Sequence, residues 1–193
     1  MEVSDMGEMP DKRLTSPLAE ADVRELKAGD RVLITGTIYT ARDAAHRRMA
    51  ELIGQGQDLP VELEGQVIYY VGPTPASPGR ATGSAGPTTS SRVDRYTPAL
   101  LSRGPRVLIG KGDRSDEVSA ALREHGAVYL AAVGGAGAML AQCIKVAEPV
   151  AWAELGTEAV YRMEVEDFPA IVVIDTHGRN LYSEGRSLFR RQV

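Results

Sequence analysis

In the segment Gly83–Arg92 (GSAGPTTSSR), the Gly-Pro pair is followed directly by four hydroxyls and a guanidinium, in a pattern suited to holding an anion. Gly86-Pro87 sets the backbone, while Thr88, Thr89, Ser90 and Ser91 place donors on short stems. Arg92 adds a planar fork that matches a carboxylate or a phosphate. Two other stretches suit the same kind of target. Gly36–His46 (GTIYTARDAAH) carries Arg42, Asp43 and His46, and Ile109–Gly112 (IGKG) carries Lys111. Together they suggest a small anion held by two forks and one compact ammonium.

Each of these residues also has a plainer reading. Serines and threonines behind a turn more often cap or close it than react. Lys111 would serve as a solvated lysine in a Gly-Lys-Gly turn, although the end of a parallel strand is where α/β sheets gather ligands. Arg42 falls in the first turn of its expected helix, where a cation opposes the macrodipole, so it has little structural reason to be there. Asp43 is at home at a helix start, and His46 one turn on could be a satisfied helix histidine. Gly134–Leu140 (GGAGAML) lacks the third glycine and the acidic partner of a dinucleotide loop, and close packing explains it better. Gly110–Gly112 lacks the glycine before and the Ser or Thr after that a phosphate loop needs, and no Ser-His-Asp elbow or zinc-type histidine pair is present.

The elements that must position these residues read as alternating strands and helices. Arg31–Tyr39 reads as a strand, followed by a helix opened by Thr40 and Asp43 at capping-box spacing and running to Gly54–Gly56. Gln66–Val71 is a short buried strand, and Gly72–Ser91 is a loop without periodicity, long enough to be functional. Arg92–Leu101 is a helix that Pro98 would kink. Then follow a strand at Arg106–Ile109, a helix at Ser115–His125, a strand at Ala127–Val133 and a helix at Gly135–Lys145. Ala159–Val165 and Ala170–Asp175 read as two strands, with Asp175–Asn180 turning back into Leu181-Tyr182 as a hairpin. The pattern predicts an α/β domain with parallel units and an added β layer. Residues 1–12 read as a mobile tail, and 13–193 as one domain.

Composition excludes several classes. The 193 residues, 43% of them hydrophobic, suit one sizeable core. A net charge of −4 with scattered basic residues argues against a nucleic-acid footprint. No stretch approaches the roughly 18 to 20 apolar residues of a membrane helix, and Met1–Arg13 has no signal-peptide core, so a cytoplasmic location is expected. Cys143 is alone, so neither a disulfide nor a multi-cysteine cluster site can be completed by this chain, and any metal chemistry must come from outside.

Taken together, Gly36–His46, Tyr69–Thr74 (YYVGPT), Gly86–Asp94 (GPTTSSRVD), Ile109–Gly112 and Glu164–Ala170 (EVEDFPA) resemble the β subunit, or C-terminal domain, of class I fumarases and L-tartrate dehydratases. The resemblance runs from about Leu14 to Tyr182, with five motifs in the same order. It implies a swivelling β/β/α domain of mixed sheets with flanking helices. It also implies an α subunit whose three cysteines hold an oxygen-sensitive 4Fe-4S cluster with one open iron; no metal would sit in this chain. Arg42, Thr88, Arg92 and Lys111 match substrate-contacting positions, with Thr88 the candidate for proton transfer as base, relay or substrate hydrogen bond. Asp43, His46, Gly86 and Thr89 match further motif positions.

The implied reaction is the reversible hydration of fumarate to L-malate, a step of the tricarboxylic acid cycle, in a hetero-oligomer such as a dimer of αβ pairs. Such a reaction needs a Lewis acid for the hydroxyl, a base for the neighbouring carbon-bound proton, and cations for the carboxylates. L-tartrate or a methylated dicarboxylate is the alternative substrate. A non-catalytic anion-binding regulatory domain is the alternative of another class.

Overall fold

A computed structural model describes residues 11–189, and the expectation of a tail over Met1–Pro10 lies outside the described residues. Lys12, assigned to that tail by sequence, instead opens the first strand, β1 (Lys12–Ser16). The chain continues through α1 (Glu20–Arg24), β2 (Arg31–Thr40), α2 (Asp43–Gly54), β3 (Val67–Tyr69), a 3-10 helix (Ser90–Tyr96), α3 (Thr97–Leu101) and β4 (Val107–Gly110). It then forms α4 (Asp116–Glu124), β5 (Val128–Ala131), α5 (Gly137–Gln142), β6 (Ile144–Ala151), a second 3-10 helix (Ala153–Glu158), β7 (Val160–Ile174) and α6 (Leu181–Phe189). No helix among the described residues is long and apolar enough to cross a membrane.

Strands β1 to β5 are parallel neighbours in chain order. Strand β7 runs antiparallel to β5, β6 and β2, so the pairing β2-β3-β4-β5-β7 returns to β2 and closes on itself. Side-chain alternation along the parallel strands explains the layers. Val67, Tyr69, Val107, Ile109, Val128 and Leu130 point into one core with Ile34, Phe168 and Val172 of β2 and β7. The residues between them, Ile68, Tyr70, Leu108 and Tyr129, point into a second core with Ala45 and Met49 of α2, Leu100 of α3 and Leu122 of α4. A period of two buried on both sides gives the continuous apolar runs that mark such strands in the sequence. The result is the expected mixed α/β architecture with three layers, β on β on α.

Several boundaries differ from the sequence reading for identifiable reasons. Thr40 does not open α2; it ends β2, where its hydroxyl accepts from Tyr161 N–H (3.0 Å), and the N-cap is Arg42. Pro98 sits in the first turn of α3, where its missing N–H costs nothing, so the expected kink becomes a helix start after a 3-10 turn. The helix expected to reach Lys145 stops at Gln142, and Ile144–Ala151 forms β6; Pro149 is tolerated there because β6 pairs on one side only. The two strands expected at 159–165 and 170–175 are one, β7, with a bulge between them. The ladder slips between Gly36↔Val165 and Ile34↔Phe168, and Asp167 takes φ of 50°. The turn at Asp175–Asn180 does bring Asn180 back to Ile174, but Asn180 Oδ1 then accepts from Tyr182 N–H (2.9 Å) and starts α6 where a strand was expected.

Candidate functional site

The register across the parallel strands aligns the exits. Thr40 pairs with Tyr69, Tyr69 with Ile109, and Gly110 with Ala131. Arg42, Gly72, Lys111 and Gly134 therefore leave the sheet from one edge, the carboxyl ends of β2 to β5, where α/β sheets gather their ligands. The long loop after β3 returns to this edge. Thr88 N–H donates to Tyr70 C=O (2.8 Å), Ser90 N–H donates to Lys111 C=O (3.0 Å), and Thr89 forms a parallel bridge with Lys111. The hydroxyl segment is thus sewn between the ends of β3 and β4.

Ser90 explains how the seam closes. Its Oγ accepts from Lys111 N–H (3.1 Å) and lies 2.8 Å from Tyr129 Oη, which itself donates to Gly112 C=O (2.9 Å); Ser90 is therefore the donor to Tyr129. Burial pushes the Tyr129 phenol above its ordinary acidity range, so it keeps that proton. A Cβ at Gly110 would overlap Ser90 Oγ, which accounts for the first glycine of Gly-Lys-Gly, and Gly112 takes φ of 83° in the turn beyond. Lys111 is exposed, and among the described residues its ammonium has no ion pair and the Thr88 hydroxyl makes no hydrogen bond.

Arg42 and Arg92 reach the same edge from different elements. Arg42 is the extended N-cap residue of α2 and contributes no side-chain cap. Its guanidinium lies against Gly72, where a Cβ would come 2.6 Å from Nη1 and 2.8 Å from Cδ, so Gly72 is there for space. Glu158 Oε1 stands 3.6 Å from Arg42 Nη2, while Arg42 Nε is buried without a partner among the described residues. Arg92, in the 3-10 helix, donates Nε–H to Asp43 Oδ1 (2.9 Å), and Asp43 Oδ2 is buried without a partner. This ion pair ties the hydroxyl segment to the start of α2.

His46 stands behind this edge. It is fully buried, edge-on to Tyr70 with ring centroids 5.0 Å apart, and its Nδ1 lies 3.0 Å from Arg42 C=O. A carbonyl can only accept, so Nδ1 carries the proton and Nε2 is left as a buried acceptor without a partner. Burial holds the imidazole down at about 4, with the Arg114 charge adding to the effect, against the Arg42 carbonyl and Asp43, which work the other way. Near neutral pH His46 is an uncharged donor to the Arg42 backbone.

Of the residues singled out by sequence, the structure brings Arg42, Asp43, Thr88, Thr89, Arg92 and Lys111 to one edge and puts His46 beneath it. Gly86 is different: it packs on Gly137, whose Cα would lie 3.5 Å from a Cβ at position 86, and the neighbouring Ala85 N–H donates to Gly137 C=O (3.0 Å). The Gly134–Leu140 motif therefore serves contact between a helix and this loop. Clefts of about 480 and 510 Å³ lie elsewhere, beside Arg80 and Lys145 and beside Lys12 and Asp22. Sequence reasoning missed Glu158, Gly72, Ser90 as the seam and Arg114. Gly72 carried a weak signal in its Gly-Pro pair, whereas Glu158 reaches α2 across 114 residues and carried none.

The family model for the fumarase C-terminus matches residues 3–185. The chain is 41% identical over 182 residues to the anaerobic class I fumarate hydratase of Escherichia coli (strain K12), covering 92% of this chain and 33% of that protein. It is 43% identical over 158 residues to fumarate hydratase 2 of Leishmania major, covering 81% and 28%. A protein of Methanocaldococcus jannaschii provisionally named L(+)-tartrate dehydratase subunit beta is 38% identical over 173 residues, covering 86% of this chain and 89% of its own length. The chain thus spans about a third of the fumarate hydratases it matches and most of the tartrate dehydratase subunit.

Proposed function

The chain belongs to the fumarase C-terminus family, and from that premise we propose that it is the β part of a hydro-lyase that hydrates fumarate reversibly to L-malate. The observation that carries the reading is the meeting of Arg42, Thr88, Arg92 and Lys111 at one strand edge. Two carboxylates of a dicarboxylate need cations at both ends. The arginine forks would fix the orientation of the carboxylates, and Lys111 would act as a compact charge. Cations beside the carboxylate next to the reacting carbon stabilise the charge that develops there, which is where binding accelerates the reaction. The unengaged hydroxyl of Thr88 stands between the ends of β3 and β4 as the group that moves or relays the proton. An alcohol is a poor base, so it relies on the neighbouring cations or on a base from the partner.

The single Cys143 cannot complete a three-cysteine set, and among the described residues no group of three or more His, Cys, Asp or Glu could hold a metal ion. We assign the 4Fe-4S cluster, which supplies the Lewis acid, to an α subunit that closes over this edge in a cytoplasmic hetero-oligomer, a dimer of αβ pairs. The exposure of Arg92 and Lys111 supports a site completed by another surface. L-tartrate is the second reading, favoured by the near-complete coverage of the tartrate dehydratase subunit.

Anaerobic assay of the chain reconstituted with its α partner, on malate, fumarate and L-tartrate, tests this. Hydratase activity that needs both chains, with malate and fumarate preferred, is the expected result; preference for tartrate would move the chain to the second reading. Activity of this chain alone in a chelator would overturn the shared site, and silence on all three with an intact cluster would point to another dicarboxylate or to a non-catalytic anion-binding domain.

A further inference from the structure

We propose that Glu158 is a positioning residue for the anion site, one carboxylate that both closes the start of α2 and holds the Arg42 guanidinium in place. The inference rests on the reading of Arg42 as a carboxylate clamp. A helix start needs acceptors for its unpaired N–H groups, and an arginine at the N-cap has none to give. Ala44 N–H, in the first turn of α2, instead donates to Glu158 Oε2 (2.8 Å), brought in from the far end of the chain. The other oxygen, Oε1, faces Arg42 Nη2 at 3.6 Å. A carboxylate here is also favoured by the helix dipole.

The geometry makes Glu158 the side-chain hold on Arg42. Gly72 offers the guanidinium only a backbone surface, and Arg42 Nε has no partner. Glu158 is itself fixed. It ends the 3-10 helix Ala153–Glu158, which is docked on α2 by the Arg48–Glu154 ion pair and by Arg48 lying 5.6 Å over the Trp152 ring. Trp152 and Gly156 bend the chain through positive φ, at 54° and 58°, to bring the carboxylate round. Both side chains of the Arg42–Glu158 pair are about a quarter exposed, 22% and 27%, against 52% for Arg92 in its own pair. The clamp is therefore the better shielded of the two and the better able to fix a direction.

Replacing Glu158 by glutamine separates the two roles. The amide oxygen must face Ala44 N–H, which keeps the cap, and the NH2 group then faces Arg42, which breaks the clamp. In the chain, Glu158→Gln should keep the hydrogen-exchange protection of the Ala44 amide and lower the melting temperature by no more than about 4 °C, the cost of losing the charge at the helix start. In the reconstituted enzyme it should lower kcat/KM for the dicarboxylate about tenfold, and in an Arg42→Lys background by less than about twofold, because the group it positions is already altered. An unchanged kcat/KM, or a loss equally large in both backgrounds, would overturn the positioning role. Arg42→Lys with unaltered kinetics would overturn something different, the assignment of Arg42 to the substrate itself.

Discussion

Arg114 and the pair Arg42 and Arg92 are the same residue type within a few side chains of one another, yet they are held in opposite ways. Arg114 is buried and saturated. Its Nε donates to Asp94 (2.7 Å), Nη2 to the Thr97 hydroxyl (2.8 Å) and Nη1 to Tyr70 Oη (3.4 Å), and its plane sits 4.9 Å from the Tyr129 ring. Burial opposes its charge, but Tyr70 and Asp94 more than offset this and hold its acidity weaker than usual. Arg42 has one distant carboxylate and an unpartnered Nε, and Arg92 uses a single N–H on Asp43. A buried guanidinium with a partner on each of its three nitrogens is committed to the scaffold, whereas one held by a single edge can offer the rest to a ligand. Saturation, more than proximity, separates the arginine of the scaffold from the arginines of the site.

The sharpest way to break this contrast is to remove the saturated arginine. Arg114→Met leaves Asp94 with a partly buried carboxylate oxygen unpaired and empties a fully buried guanidinium site, and should cost about 3 kcal/mol in urea or thermal unfolding. A loss below about 1 kcal/mol would erase the distinction.

His46 tests the contrast at its border, since it touches Arg42 by a hydrogen bond and feels Arg114 by charge. Its native value of about 4 lies below the ordinary 6.5, so the unfolded chain binds the extra proton. Stability from this group is full above pH 6.5 and is lost as pH falls toward 4, by up to about 3 kcal/mol. His46→Gln should flatten that part of the stability profile; an unchanged slope between pH 6.5 and 4 would remove His46 as its source.

What the sequence could and could not show follows the same division between local and distant causes. Strands β2 to β5 and helices α2 and α4 were legible because their periodicity and the Ser115 cap are local, and the long loop because it lacks any period. Strand β6 was missed because an exposed edge strand buries little and carries little apolar pattern, and β7 was split because Glu166–Pro169 reads as a break until β2 is beside it. At the site, residue types pointed to an anion, the resemblance to the fumarase motifs singled out Arg42, Thr88, Arg92 and Lys111, and their common edge follows from strand register. Glu158 left no trace in the sequence and Gly72 only its Gly-Pro pair, because their meaning lies in contacts with Arg42.

Of the unsaturated arginines, Arg92 is the more accessible test. Its side chain is 52% exposed, so the fold has little invested in it, and Arg92→Lys should leave unfolding within about 0.5 kcal/mol. A lysine keeps the charge but loses the fork, so kcat/KM in the reconstituted enzyme should fall on the order of 100-fold. Unchanged kinetics would take Arg92 out of the site and leave Lys111 and Arg42 as its cations.

The smallest effect is expected at Asp43, the partner of Arg92. Asp43 gives one oxygen to Arg92 and keeps the other buried and unpartnered, so it is neither a saturated counterion nor a free base. In Asp43→Asn the amide oxygen can still accept from Arg92 Nε, and the pair loses its charge but not its geometry. An exposed pair of this kind contributes little, so stability should drop by less than about 1 kcal/mol. Turnover should fall only a few-fold if Asp43 merely orients Arg92, because the orienting hydrogen bond survives the substitution. A loss on the order of 100-fold or more would mean that the unpartnered oxygen, and not the one on Arg92, is what the reaction uses, and Asp43 would then join Thr88 as a group that handles the proton.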